Sequence, residues 1–206
     1  MLELKNLEDS TFISVGGSTT DETGHFALDL IPNREYRLTA KKEGYLNEII
    51  PLTTMGKTKS ADISIDIHIR AIPETPLRLA NIYYEFASAN LTEGAKNSID
   101  TTLLRFMDRN SELAIEIGSH TDNIGSDESN MSLSQRRAES VVQYLTLKGV
   151  DPNRLRSTGY GESKPIAPNQ LPGGKDNPKG RQLNRRTEFK ILGKMRDGKI
   201  REDSDF

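Results

Sequence analysis

The apolar period of this chain changes once, and that change limits the fold more than any other feature. Between residues 11 and 70 apolar side chains recur at every second position: Phe26, Leu28 and Leu30, then Tyr36, Leu38 and Ala40, then Ile63, Ile65, Ile67 and Ile69. Successive side chains of a strand point to opposite faces, so this pattern predicts half-buried β-strands. Asp21-Glu22-Thr23-Gly24 and Pro32-Asn33-Arg34-Glu35 supply the reversals between them. Residues 1–70 are therefore expected to form a small antiparallel β-sandwich. Ala71-Ile72-Pro73-Glu74-Thr75-Pro76 holds two prolines, which suit an extended connector, and the domain boundary is expected across 71–76.

Beyond the connector the period alternates between two and about 3.6. Ile82-Tyr83-Tyr84-Glu85-Phe86 reads as a strand, whereas Ala95, Ile99, Leu103 and Phe106 recur at helical spacing behind Thr92, a good N-cap. Leu113, Ile115 and Ile117 alternate as a second strand. Ala138, Val141, Val142 and Leu145 form a helical stripe, with Ser132 and Gln135 spaced as a capping box at its start and Gly149 at its end. Arg154 to Thr158 and Thr187 to Leu192 supply two more strands. Strand alternating with helix predicts an α/β (α+β) fold, a two-layer α/β sandwich over 77–194, followed by a charged tail at 195–206.

The chain has 206 residues, enough for two small domains that each bury a core. Its net charge of -2 gives no overall pull toward nucleic acid or anionic lipid. No apolar run approaches the roughly 20 residues of a membrane-spanning helix. With no cysteine there is no disulfide, thiolate metal site or cysteine nucleophile.

The chemistry concentrates at one strand-to-helix junction. Ile117-Gly118-Ser119-His120-Thr121-Asp122-Asn123 is followed by Asn130-Met131-Ser132-Leu133-Ser134-Gln135-Arg136-Arg137-Ala138, then by Gly159-Tyr160-Gly161-Glu162 and Asn184-Arg185-Arg186. Asp122 falls just past a strand, and Arg137 is placed about one turn into the next helix. A carboxylate and a guanidinium held together can grip a zwitterion: the planar fork of arginine matches a carboxylate, and aspartate accepts from an ammonium.

These four motifs, in this order, resemble the OmpA-like peptidoglycan-binding domain from about Leu79 to Leu192. The resemblance implies a mixed four-stranded sheet and a non-enzymatic, non-covalent tether to peptidoglycan that needs no cofactor and no metal. It implies that Asp122 and Arg137 clasp the diaminopimelate of the wall's stem peptide, with Asn130, Leu133, Thr121 and Arg185 lining the same groove. It also implies a periplasmic location beside the outer membrane, with membrane attachment and the export signal supplied by parts outside this chain. The family usually places Asp or Asn where this chain has Ala87, with Ser88 and Asn90 the nearest polar substitutes. The Gly, Pro and Lys-rich loop from Gln170 to Gly180 is longer than in many relatives.

The first half, through Thr20-Asp21-Glu22-Thr23-Gly24-His25-Phe26 and Tyr36-Arg37-Leu38-Thr39-Ala40-Lys41-Lys42-Glu43-Gly44-Tyr45, resembles the carboxypeptidase regulatory-like (transthyretin-like) domain. Its usual opening strand is not found before Leu2, which suggests a piece of a longer protein.

Other readings compete. Taken singly, Asp122 reads as a turn residue and Arg137 as a solvated helix charge. His120, Asp122 and Ser126 or Ser129 could form a hydrolase triad, but no nucleophile elbow surrounds either serine. His120, Asp122, Asp127 and Glu128 could hold a metal, but a second spaced histidine is missing. Of Arg185 and Arg186, one is expected to be structural, and Tyr160 to be a packed aromatic. His25 and His68 are expected in solvent. Gly159 to Lys164 lacks the glycine spacing of a phosphate loop. A module that recruits another envelope protein, with wall binding secondary, is the alternative function.

Overall fold

The computed structural model describes residues 1–6, 9–80, 82, 84 and 88–201. They divide into two compact units, one ending at Ile72 and one beginning at Pro73.

The first unit is one antiparallel sheet with strand order β2-β1-β3-β4. Its strands are β1 (Leu2–Lys5), β2 (Phe12–Gly16), β3 (Glu35–Ala40) and β4 (Glu48–Thr53). Alternation along β1 and β3 buries Leu2, Tyr36 and Leu38, against which Leu4, Phe26, Leu28, Leu30, Leu52, Ile65 and Ile67 pack. On the opposite parity Glu3 faces Arg37, which donates to both its carboxylate oxygens at 2.8 and 3.0 Å.

The runs expected as strands at 26–30 and 63–69 join no ladder, so among the described residues the sandwich has one sheet, not two. Alternation reports which face is apolar; it does not supply a partner for the backbone. The first run is pinned over the sheet by the Tyr36 hydroxyl, which accepts from the Ile31 N–H at 2.8 Å. The second is held near its end by the bridge between Tyr45 and Ala71.

The second unit is a mixed sheet with helices. Strands β5 (Leu77–Leu79), β6 (Leu113–Ser119), β7 (Leu155–Gly159) and β8 (Thr187–Arg196) lie in the order β5-β8-β6-β7, and β9 (Lys199–Arg201) also pairs with β8. β6 runs parallel to β7 and antiparallel to β8. As the central strand it is covered on both faces, and Leu113, Ala114, Ile115 and Ile117 are all buried. The strand expected at 82–86 lies mostly outside the described residues; Tyr84 makes an isolated bridge to Leu91.

Thr92 caps α1 (Glu93–Ile99), its hydroxyl accepting from the Ala95 N–H at 3.2 Å. The helix then passes through a π turn (Asp100–Leu104) into α2 (Arg105–Arg109). That wider turn suits the four-residue spacing of the buried Ala95, Ile99, Leu103 and Met107. Met107 therefore takes the core position expected for Phe106, which packs beside Phe189 at 5.1 Å between ring centroids.

Helix α3 (Asp127–Leu147) begins earlier than expected, with Ser126 as its N-cap. Ser132 and Gln135 lie inside it, so they are not a capping box, and Arg137 lies nearly three turns in. Ser126 wins because its residue is extended and its hydroxyl reaches the Ser129 N–H at 3.3 Å. Gly149, at φ +94°, ends the helix.

Two further segments differ from expectation. The Gln170–Gly180 loop closes early, because Asn177 caps α4 (Pro178–Asn184) with Pro178 in its first turn. Residues 195–201, expected as charged tail, finish β8 and return as β9 through Asp197 and Gly198, at φ 53° and 72°. That pair is a two-residue hairpin turn needing positive φ at both positions.

Candidate functional site

The end of β6 is held on three sides. The His120 N–H donates to the Arg186 carbonyl at 2.9 Å, and the Thr121 N–H to the Gly161 carbonyl at 2.9 Å. Gly161 in turn donates to the Ser134 hydroxyl of α3 at 2.8 Å, and Gly159 to the Gln135 side chain at 2.7 Å. A Cβ on Gly159 would collide with the backbone of Gln135, so this glycine lets the loop lie directly on α3. The Gly-Tyr-Gly-Glu motif thus closes the loop that presents Asp122.

Asp122 is buried, with its side chain 9% exposed. Its Oδ1 accepts from the Ile124 N–H at 3.2 Å. Its Oδ2 accepts from Arg185 Nη1 at 2.5 Å and Arg181 Nη1 at 3.4 Å. Arg181, four residues before Arg185, escaped the sequence reading; the repeat of arginine at that helical spacing was its signal. It is itself gripped by Asp176, Nε and Nη2 donating to the two carboxylate oxygens at 2.8 and 2.7 Å. The loop 170–180 therefore reaches the site through Asp176.

Helical spacing places Asn130, Leu133 and Arg137 on one face of α3. The Asn130 side-chain amide donates to the Asp122 carbonyl at 3.2 Å and to Glu162 at 2.7 Å. Glu162 is the second group the sequence reading left out. The Arg137 guanidinium lies 4.7 Å from the Tyr84 ring centroid, and its Nε donates to the Ser88 carbonyl at 3.1 Å. Its terminal nitrogens make no hydrogen bond among the described residues. Burial, opposed by Tyr84 and reinforced by Arg185, pushes its pKa below the ordinary arginine value. A half-buried guanidinium with both terminal nitrogens unused is poised for an anion. Ala87 lies outside the described residues, and the Ser88 hydroxyl accepts the Asn90 N–H at 3.0 Å.

Thr121 Oγ1 and Asn123 Oδ1, on either side of Asp122, are enclosed without a hydrogen-bond partner among the described residues. Buried polar atoms are nearly always bonded, so such atoms mark a place where the chain accepts a cost.

The other half of the Asn-Arg-Arg motif is structural. Asn184 accepts from the Ile166 and Ala167 N–H groups and donates to Ala167 and Asn169. Arg186, its side chain 4% exposed, donates to Glu188 at 2.9 Å and to the Lys164 carbonyl at 3.1 Å. His120 bonds Glu188 at 2.9 Å rather than Asp122 or a serine, and stacks on Tyr160 at 4.9 Å. Its hydrogen bond, helped by that of Arg186, holds the Glu188 carboxyl down at about 2. Tyr160 is a packed aromatic whose hydroxyl donates to Glu116 at 2.6 Å, while burial and that carboxylate push its pKa up to about 12. Ser126 is occupied as a cap, so the hydrolase arrangement is not assembled. Among the described residues no group of three or more acidic or histidine side chains could hold a metal. His25 and His68 are exposed.

Residues 83–178, which hold Asp122, Asn130, Leu133 and Arg137, match the OmpA family. They are an OmpA family domain. The family binds peptidoglycan and is not enzymatic. Among curated proteins, the chain is 37% identical over 114 residues to outer membrane protein A of Bordetella avium, covering 55% of each. It is 43% identical over 89 residues to outer membrane porin F of Pseudomonas fluorescens, covering 43% of this chain and 26% of that one. It is also 40% identical over 111 residues, 54% of this chain, to a Gloeobacter violaceus protein named photosystem I P700 chlorophyll a apoprotein A2. That match is only 13% of the Gloeobacter protein, so its name says nothing of this domain. The chain thus spans 13 to 55% of these relatives' own lengths.

Among solved structures, a putative MotB like protein from Desulfovibrio vulgaris is 29% identical, with 55% of this chain and 68% of that one covered and a TM-score of 0.47. The peptidoglycan-associated lipoprotein from Burkholderia pseudomallei is 24% identical, with 53% and 87% covered and a TM-score of 0.46. The matched OmpA span excludes the first unit, whose four-stranded sheet is assigned to no family here. No helix among the described residues is long and apolar enough to cross a membrane.

Proposed function

We propose that the OmpA-like domain binds the wall through the diaminopimelate of its stem peptide, and so tethers an outer membrane or an envelope complex to peptidoglycan in the periplasm. The observation that carries this is the nearness of unlike groups: the buried Asp122 carboxylate at the end of β6 and, close enough for the two charges to act on one another, the half-buried Arg137 of α3 with unbonded terminal nitrogens. Diaminopimelate carries an ammonium and a carboxylate on one carbon, the complement of that pair. Asp122 accepts from the ammonium and Arg137 forks the carboxylate, while Thr121, Asn130 and Leu133 shape the wall beside them. Nothing in this reading requires a cofactor or a bond-breaking step.

Calorimetric titration with three stem peptides tests it. A meso-diaminopimelate peptide should bind. One whose terminal carboxylate is amidated should lose a charge-assisted hydrogen bond of roughly 1.5 to 3 kcal/mol, and a lysine peptide should be equally poor. Equal affinities for all three would end the zwitterion clasp and favour the sugar strand.

A further inference from the structure

We propose that Arg185 is a built-in competitor for the ligand's ammonium, and that this competition makes recognition conditional on a ligand carboxylate. The proposal rests on the diaminopimelate reading above. Both Asp122 oxygens are engaged in the free protein, Oδ1 by the Ile124 N–H and Oδ2 by the two arginines. With one donor on Oδ1 and two on Oδ2, an ammonium arriving at this nearly enclosed carboxylate competes with a cation already there.

Arg181 is the fixed one, because Asp176 holds two of its other nitrogens. Arg185 is the labile one. Among the described residues its side chain bonds only to Asp122, and it is 44% exposed, at the residue that ends α4. It can swing into water without disturbing Asn184, whose bonds hold the neighbouring backbone.

A plain amine that replaces Arg185 exchanges one cation for another and leaves Arg137 and Arg185 in repulsion, which is already part of what lowers the Arg137 pKa. A ligand that brings a carboxylate beside its ammonium neutralises Arg137 in the same step. Discrimination against lysine-type stems thus comes from two sources: the carboxylate that Arg137 gains, and the displaced Arg185 cation, which that carboxylate attracts and a plain amine only repels.

The test uses the whole chain, as wild type, Arg185→Gln and Arg185→Lys, titrated with a meso-diaminopimelate stem peptide and with its lysine counterpart. Glutamine keeps a neutral donor near Asp122 but removes the competing charge. Arg185→Gln should strengthen lysine-peptide binding about tenfold, the worth of one charge-assisted hydrogen bond, and strengthen diaminopimelate-peptide binding less, because that peptide also loses the attraction between its carboxylate and Arg185, so that the preference narrows. Arg185→Lys keeps a cation and should keep most of the preference. A preference unchanged in Arg185→Gln would overturn the competitor role while leaving the diaminopimelate reading intact, as would equal weakening of both peptides. A wild type that binds neither peptide would overturn both.

Discussion

In the first unit the fully buried apolar residues described are Leu2, Tyr36 and Leu38; in the second they run from Leu79 to Ile191 and number fifteen. Buried polarity differs as much. The first unit encloses Thr39, Asn47 and Thr54, whereas the second encloses Ser119, His120, Thr121 and Asp122 in succession, with Asn130, Ser134, Asn184, Arg186 and Thr187. A chain buries charge and amides at a cost, and a larger apolar core lets the second unit carry that cost at one end of its sheet. Similar strand chemistry thus yields a thinly cored sheet in one region and a pre-organised site in the other.

Five experiments would break or sharpen this contrast. The largest effect is expected from Arg186→Ala, which leaves Glu188 enclosed without its guanidinium; the second unit should lose about 3–5 kcal/mol in chemical denaturation. A loss under about 1 kcal/mol would mean that the enclosed network is decoration. Next, Gly159→Ala forces a Cβ into the α3 backbone and should cost roughly 1–3 kcal/mol, with weaker wall binding because the Thr121 loop is displaced. Unaltered co-sedimentation with wall sacculi and an unaltered melting temperature would show that the loop does not need close contact.

A smaller effect follows from acid. The folded-state pKa of Glu188 is lowered from 4.5 to about 2, so its ionised form stabilises the fold. That contribution is present above 4.5 and is lost as pH falls toward 2. The melting temperature of the second unit should drop across that window, and Glu188→Gln should flatten the drop; the same slope in both proteins would assign the acid sensitivity elsewhere.

The smallest effect on binding is expected from Leu38→Ala. It opens the core of the first unit at a cost of about 2–5 kcal/mol to that unit, yet every residue of the groove belongs to the other unit. Sacculus binding should not change. A change would mean that the first unit supports the site. A fragment spanning 73–201 should likewise fold and bind alone; an end at 194 would cut β8 and remove β9.

Of the residues that the motifs named, Asp122 and Asn130 do meet at the end of β6, and Arg137 follows on the same face of α3. The pairing of Arg185 with Asp122 and the part of Arg181 were not legible, because which of several nearby cations reaches a carboxylate depends on how α4 docks. The Ser132 and Gln135 spacing misled because a capping signature also occurs inside helices, and only the backbone at Ser126 decides where hydrogen bonding begins.

By itself the sequence determined what local physics controls: the antiparallel character of the first unit, the α/β alternation of the second, the stop at Gly149 and the cap at Thr92. Period and capping act within a few residues, so they survive without knowledge of the whole. The tertiary structure alone decided which alternating runs found ladder partners, that a π turn brings Met107 rather than Phe106 into the core, and that Arg186 pairs with Glu188 while Arg185 pairs with Asp122. Those outcomes depend on backbone groups and charges brought together from distant parts of the chain, where burial and the choice of partner, not residue type, set the energy.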